Sequence, residues 1–143
     1  MLKNFIKKYK FLLILFLIPL FSSCSGTGSK IKPTISTTND GNTTIYFTRE
    51  GGFVGGGVLA KVVVNNSEIA QLGVNEYITS NVTGNYRIKV SGAGIGGIRM
   101  GSDSISGVAD GKNYFYIIGV KQGLFSASFT ITETTESGYK QSQ

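Results

Sequence analysis

Between residues 43 and 133, hydrophobic positions recur with a period of two, in short runs separated by Gly, Asn and Asp. In the stretch YRIKV (86–90), apolar residues alternate with Arg87 and Lys89, as in a strand with one buried face. No segment shows the 3.6-residue period of a helix. The same reasoning predicts further strands at 44–49, 58–64, 68–72, 76–80, 104–108, 114–120 and 126–132.

The arrangement of these strands follows from their composition and from the turns between them. Residues 58–64 and 114–120 are apolar on both faces, which is typical of central strands. Asn65-Asn66 suits a two-residue type I′ hairpin because Asn tolerates a positive φ angle. Asp110-Gly111 and Thr83-Gly84 are further turn candidates. Seven or eight short strands in about 90 residues favour an all-β fold, a two-layer antiparallel β-sandwich, over a closed barrel.

The segments that flank residues 43–133 are polar. Residues 24–42 contain Ser, Thr, Gly, Lys, Asn and Pro33, with only two isolated Ile residues. Such a composition cannot bury enough surface to fold. It predicts a flexible tether with a reach of about 20–25 Å. Residues 134–143 are also polar and are predicted to be a disordered tail.

The first 23 residues have the layout of a secretory signal peptide. Four lysines within the first ten residues precede an apolar run that ends at Phe21. The run is too short for a membrane span, which needs about 20 apolar residues. It therefore predicts a signal helix that is cleaved after export.

The stretch LFSSC (20–24) resembles the bacterial lipobox, in which small residues precede a cysteine that receives diacylglycerol before cleavage. Phe21 stands where Leu is usual. The resemblance implies that Cys24 is the lipid attachment site and that acyl chains anchor the protein in a membrane. Ser25, in place of Asp, favours the periplasmic face of the outer membrane.

Composition excludes several classes of function. Four of the 14 basic residues lie in the leader, so the mature 120 residues carry ten basic and eight acidic residues, a net charge of +2. So small a positive charge does not indicate a nucleic-acid-binding surface. The chain has no His, and Cys24 is its only cysteine, so the residues of a Ser-His-Asp site or a thiolate metal site are missing. We therefore expect neither an enzyme nor a cofactor.

Part of the predicted sandwich resembles the DUF 2846 family, bacterial envelope domains of unknown function. The resemblance rests on TIYFTR (44–49), GFVG (52–55), the hairpin at 62–73, Glu76-Tyr77 and the strand at 84–90. Three turns depart from the family: no Pro follows Arg49, Asn65-Asn66 replaces Asp-Gly, and residues 81–84 lack Pro-Gly. The resemblance implies a transthyretin-like or carboxypeptidase-regulatory-like sandwich and assigns no catalytic residue.

Two glycine-rich stretches are candidate binding loops. Residues 51–57 lack the Gly-Lys-Ser/Thr ending of a phosphate loop, and no helix is predicted after residues 92–97, so neither predicts nucleotide binding. Phe53 and Val54 in the first stretch either close the end of the core or form, with Arg49 and Glu50, a contact loop for a partner.

Three hypotheses about function remain open. The first is a lipid-anchored, non-catalytic accessory module that binds an envelope protein or polymer. The second is a structural or spacer lipoprotein with no specific ligand. The third is a hydrolase that uses a carboxylate pair, Asp103 with Asp110 or Glu133 with Glu136.

Overall fold

The structure is a computed structural model that describes residues 26–37, 41–52, 57–93, 100–124 and 126–142. Each of the eight predicted strands is present, with bounds within three residues of those predicted. The all-β prediction is therefore confirmed. The strands are β1 (Thr43–Arg49), β2 (Leu59–Val64), β3 (Ser67–Leu72), β4 (Tyr77–Val82), β5 (Asn85–Ala93), β6 (Asp103–Val108), β7 (Asn113–Gln122) and β8 (Ala127–Thr134), and a helix, α1 (Glu136–Gln141), follows them.

The strands form two four-stranded sheets that pack as a sandwich, as predicted. The first sheet has the order β4-β1-β7-β8, and the second has the order β3-β2-β5-β6. The two strands with apolar residues on both faces, β2 and β7, are internal in their sheets. β1 and β7 pair in parallel, with Arg49 opposite Ile118, whereas the other strand pairs are antiparallel. This parallel pair is a departure from the wholly antiparallel sandwich that we expected.

The two ends of the sandwich are distinguished by their turns. At the Glu76 end, β1, β3, β5 and β7 finish, and the turn from β3 to β4 carries Glu76. At the opposite Asn65 end, Asn65 and Asn66 form the β2–β3 turn with φ angles of 48° and 67°. These positive angles confirm the predicted hairpin. The Arg87 N–H donates to Asn65 Oδ1 at 2.9 Å and links this turn to β5.

The main core lies between the two sheets. Alternation along each strand turns one set of side chains inward, and Phe47 of β1 stacks on Tyr116 of β7 at a centroid distance of 5.9 Å. The most buried members are Ile45, Phe47, Ala60, Val62, Leu72, Ile88, Val90, Tyr116, Ile118 and Phe129.

A second, aromatic cluster lies on the outer face of the first sheet. The Tyr46 ring stacks on Phe115 at 5.1 Å, and Tyr139 of α1 covers Phe115 at 5.4 Å. Tyr77 and Ile35 complete the cluster. This sheet therefore buries aromatic residues on both faces, because α1 and residues 29–36 cover its outer face.

Residues 26–37, here called the N-terminal segment, differ from the predicted flexible tether. The Thr27 N–H donates to the Gln71 carbonyl at 2.8 Å, and Ser29 and Tyr77 exchange backbone hydrogen bonds of 2.9 and 2.8 Å. Further along, the Ser36 N–H donates to the Tyr46 hydroxyl at 3.0 Å. Edge strands offer unpaired backbone groups, so a polar segment can be held by hydrogen bonds without burying many apolar side chains.

The C-terminal residues that the structure describes are ordered, contrary to the predicted disordered tail. The Thr135 side chain caps α1 by accepting the Gly138 N–H, and Glu136 pairs with Lys140 one turn later. Tyr139 is fully buried in the aromatic cluster. This apolar contact gives a six-residue helix the tertiary support that it needs.

Candidate functional site

Three of the predicted site residues, Cys24, Phe53 and Val54, lie outside the residues that the structure describes. Glu50 is exposed at the Glu76 end, and its N–H donates to the Ile118 carbonyl at 2.9 Å. Arg49 is only 2% exposed. Its side chain therefore does not form part of a contact surface, contrary to the expectation from sequence.

Arg49 instead connects the two sheets. From the last residue of β1, its Nη1 donates to the carbonyls of Val58 at 2.5 Å and Leu72 at 2.8 Å, both on the second-sheet side. Its Cζ lies 5.2 Å from the centroid of the Phe129 ring. Burial lowers the pKa of Arg49, and the negative charge of Glu76 opposes this shift. The side chain closes the core at the Glu76 end.

Glu76 binds the N-terminal segment through a carboxylate that is 1% exposed. Its Oε1 accepts the Gly26 N–H at 3.0 Å, and its Oε2 accepts the Gly28 N–H at 3.2 Å. The Gly73 N–H also donates to Oε2, at 2.8 Å, and the Lys30 ammonium lies 3.1 Å from Oε1. Three backbone donors and one cation therefore converge on one buried carboxylate.

The charge state of Glu76 follows from this environment. Burial alone raises the pKa of a carboxyl group. Here the N–H groups of Gly73 and Gly26 and the Lys30 ammonium outweigh burial, so the pKa of Glu76 lies below its ordinary value. The carboxylate is ionised at neutral pH, which strengthens its hydrogen bonds to the N-terminal segment.

Two glycines permit the close approach of the N-terminal segment to Glu76. A Cβ atom on Gly26 would lie 2.1 Å from the Gln71 carbonyl oxygen and 2.2 Å from Glu76 Oε2. A Cβ atom on Gly28 would lie 2.4 Å from Leu72 Cδ2. Neither position therefore accepts a side chain without displacement of the segment. The Gly-Thr-Gly stretch was the available sequence signal for this contact, and sequence reasoning interpreted it as part of the tether.

Of the four carboxylates proposed for catalysis, Asp103, Asp110 and Glu136 each bind other groups, whereas Glu133 is exposed on β8. Asp103 accepts the N–H groups of Ile131 at 3.0 Å and Ser104 at 2.8 Å, and Asp110 pairs with Lys112 at 2.7 Å. Asp103 begins β6, whereas Asp110 follows the other end of that strand, so the two do not converge. Glu136 pairs with Lys140 within α1. Among the described residues, no group of three or more His, Cys, Asp or Glu side chains is placed to hold a metal ion.

An open groove of about 560 Å³ lies at the Asn65 end. Polar residues of the β2–β3 turn, β5 and β6 line it together with Tyr86, Gly107 and the exposed Val108, and most of its exposed surface is apolar. Sequence reasoning did not find it because its residues come from separate elements. The principal polar residues are Asn65, Asn85, Arg87 and Ser106.

Over the described residues, no helix is both long and apolar enough to cross a membrane. Comparison with models of known protein families gives no match, and comparison with curated proteins gives none either. The resemblance to the DUF 2846 family therefore stays a prediction.

Proposed function

We propose that the chain is a lipid-anchored, non-catalytic module of the bacterial cell envelope that binds another envelope component. The observation that carries the proposal is the lipobox-like stretch LFSSC (20–24) at the end of an apolar run. Acyl chains on Cys24 hold the mature protein at the membrane.

The chemistry of the side chains supports a binding role over a catalytic one. The chain has no His to act as a general base near neutral pH. The carboxylates of Glu68, Glu76 and Asp110 each pair with a lysine. An ion-paired carboxylate with a lowered pKa is a weak general acid at neutral pH.

The groove at the Asn65 end is the surface that we assign to the envelope component. Its amides and the Arg87 guanidinium offer hydrogen-bond donors to hydroxyl and acidic groups of an envelope polymer. The groove lies at the opposite end from Gly26, where the chain enters the sandwich. The alternative is a spacer lipoprotein, which needs no such surface.

Lipid anchoring is tested with Cys24→Ser in the full-length chain produced in a bacterium. Wild type is expected to incorporate a labelled fatty acid and to fractionate with membranes. Cys24→Ser is expected to incorporate none and to accumulate as uncleaved precursor. Ser23→Ala keeps a small residue before the cysteine and should be processed normally. Lipid labelling of Cys24→Ser would remove the proposal.

Binding is tested by cross-linking purified envelope polymer to the lipidated protein. Arg87→Glu, which reverses the charge in the groove, is expected to abolish cross-linking. Lys89→Glu is the matched control, because Lys89 is an exposed base on the same strand outside the groove. Equal cross-linking by wild type and Arg87→Glu would exclude the groove, and no cross-linking by wild type would favour the spacer.

A further inference from the structure

The N-terminal segment enters the sandwich at a defined place. Gly26 and Gly28 are bound to Glu76, and Thr27 is bound to Gln71, so the chain is held from Gly26 onward. Only Ser25 separates Gly26 from Cys24, and a fully extended chain spans at most about 7 Å over these two steps. A lipid attached at Cys24 is therefore close to the Glu76 end, without an intervening tether.

Exposed hydrophobic side chains occur near this point. Among the described residues, the large hydrophobic side chains that are exposed include Leu124 at 89%, Ile31 at 80% and Val108 at 63%. Ile31 follows Ser29, which is paired with Tyr77 at the start of β4. Leu124 lies in the β7–β8 turn. Both therefore lie at the Glu76 end, on the side of the first sheet, whereas Val108 ends β6 at the Asn65 end.

The β7–β8 hairpin extends beyond the rest of the first sheet. Ile118 of β7 pairs with Arg49, the last residue of β1, and β7 continues to Gln122. Four further residues of strand add about 13 Å. The Gly123 N–H closes the turn by donating to the Ser126 carbonyl at 2.7 Å. The base of the hairpin stays in the sandwich, since Phe129 is in the core and Gly101 pairs with Ser128, and Leu124 lies beyond these contacts in the turn at the Glu76 end.

We propose that the Glu76 end lies directly on the membrane that holds the lipid anchor, with Leu124 and Ile31 in contact with lipid. The proposal rests on the proposed function for the anchor itself and adds the orientation of the domain. The single residue between Cys24 and Gly26 cannot hold this end far from the lipid headgroups while Glu76 binds Gly26. Covering an almost fully exposed apolar side chain with lipid removes it from water and stabilises the bound state.

The chain contains no Trp, so a single introduced Trp reports its own environment. Leu124→Trp, Ile31→Trp and Val108→Trp are prepared as lipidated full chains in vesicles of phosphatidylethanolamine and phosphatidylglycerol. Leu124→Trp and Ile31→Trp are expected to show blue-shifted emission and quenching by brominated lipids. Val108→Trp is the matched control at the opposite end and should be quenched by acrylamide in the water phase instead.

The outcomes separate the orientation from the anchor. Mass spectrometry and co-flotation with vesicles first establish that each variant is lipidated, and their failure would count against the proposed function. Lipidated variants with equal acrylamide quenching at all three positions would overturn the orientation. Protection of Leu124→Trp from acrylamide without quenching by brominated lipid would also overturn it, because another copy of the chain would then cover that residue.

A second substitution tests the cause of the orientation. Gly26→Ala places a Cβ atom against backbone and should release the N-terminal segment from Glu76. In the Leu124→Trp background, it is expected to reduce quenching by brominated lipid, while the protein still floats with vesicles. Gly52→Ala is the control, because a Cβ atom there meets nothing within 4 Å. Full quenching in the Gly26→Ala protein would show that Glu76 does not orient the domain.

Discussion

The backbone N–H of Gly26 donates to Oε1 of Glu76 at 3.0 Å, across 50 residues of sequence. This contact joins the first described residue to the turn between β3 and β4. Because the carboxylate is buried and also accepts the N–H groups of Gly28 and Gly73, it orders a polar segment that has few apolar side chains. The position of the chain entry thus depends on one ionised group.

Protonation of Glu76 is expected to release the N-terminal segment. Its pKa is lower in the folded protein than the ordinary value of 4.5, so its contribution to stability is complete above that value and is lost as pH falls through the folded pKa. Glu76→Gln should cost about 1–3 kcal/mol at neutral pH. The melting temperatures of wild type and Glu76→Gln should converge in acid.

Glu136→Gln, which breaks an exposed ion pair, is the control. A difference in melting temperature between wild type and Glu76→Gln that does not change with pH would contradict the prediction.

Gly28→Ala should expose the N-terminal segment to proteolysis. The added Cβ atom would lie 2.4 Å from Leu72 Cδ2 and 2.9 Å from Glu76 Cβ, so the segment must move outward. Trypsin is then expected to cleave after Lys30 faster than in wild type, since local opening controls the rate. Gly57→Ala, where a Cβ atom meets nothing within 4 Å, should be cleaved at the wild-type rate. Equal rates for wild type and Gly28→Ala would show that position 28 tolerates a side chain.

The strands could be predicted because their local pattern carries the information. Alternation in β5 and the apolar runs of β2 and β7 each follow from which faces are buried, and Asn65-Asn66 marks its own turn. The parallel pairing of β1 with β7 could not be predicted. Their paired residues are 69 positions apart, as in Thr44 with Asn113, and no local pattern specifies pairing at that distance.

The sequence predicts flexible flanking segments because their polar composition provides few apolar side chains to bury. The N-terminal segment is held chiefly by backbone hydrogen bonds to β3 and β4, which require no apolar period. α1 is too short to show a helical period, although Thr135, Glu136 and Lys140 are a cap and an ion pair visible in the sequence. Nothing in the local sequence indicates that Arg49 is buried, because charged residues that adjoin glycine-rich stretches are usually solvated.

Truncation of Arg49 should be strongly destabilising. Arg49→Ala leaves the carbonyls of Val58 and Leu72 without this donor and removes a contact with Phe129. Unpaired buried carbonyls cost about 1–3 kcal/mol each, so a loss of about 3 kcal/mol or more is expected in urea unfolding. Arg49→Lys should recover only part of it, since an ammonium lacks the planar fork. Arg87→Ala, at an exposed site, is the control and should change the free energy of unfolding by less than about 0.5 kcal/mol. An equally small loss for Arg49→Ala would contradict the buried position of Arg49.

Removal of the Tyr139 ring should detach α1 from the first sheet. The ring is fully buried against Tyr46, Tyr77 and Phe115, so Tyr139→Ala is expected to cost about 3–5 kcal/mol, measured by urea unfolding. Tyr139→Phe keeps the ring and loses only a hydroxyl that lies 3.5 Å from the Phe47 carbonyl, so its cost should stay near 1 kcal/mol.

Alkaline pH gives an independent test of the same residue. Burial, with the neighbouring Tyr77 and Tyr46, raises the pKa of Tyr139 well above its ordinary value of 10.0. A raised folded pKa means that stability is complete below the unfolded value and declines as pH rises beyond it. Tyr139→Phe removes this ionisation, so its melting temperature should fall less than that of wild type above pH 10. Identical alkaline profiles, or wild-type stability of Tyr139→Ala at neutral pH, would mean that residues 134–142 form a disordered tail in solution.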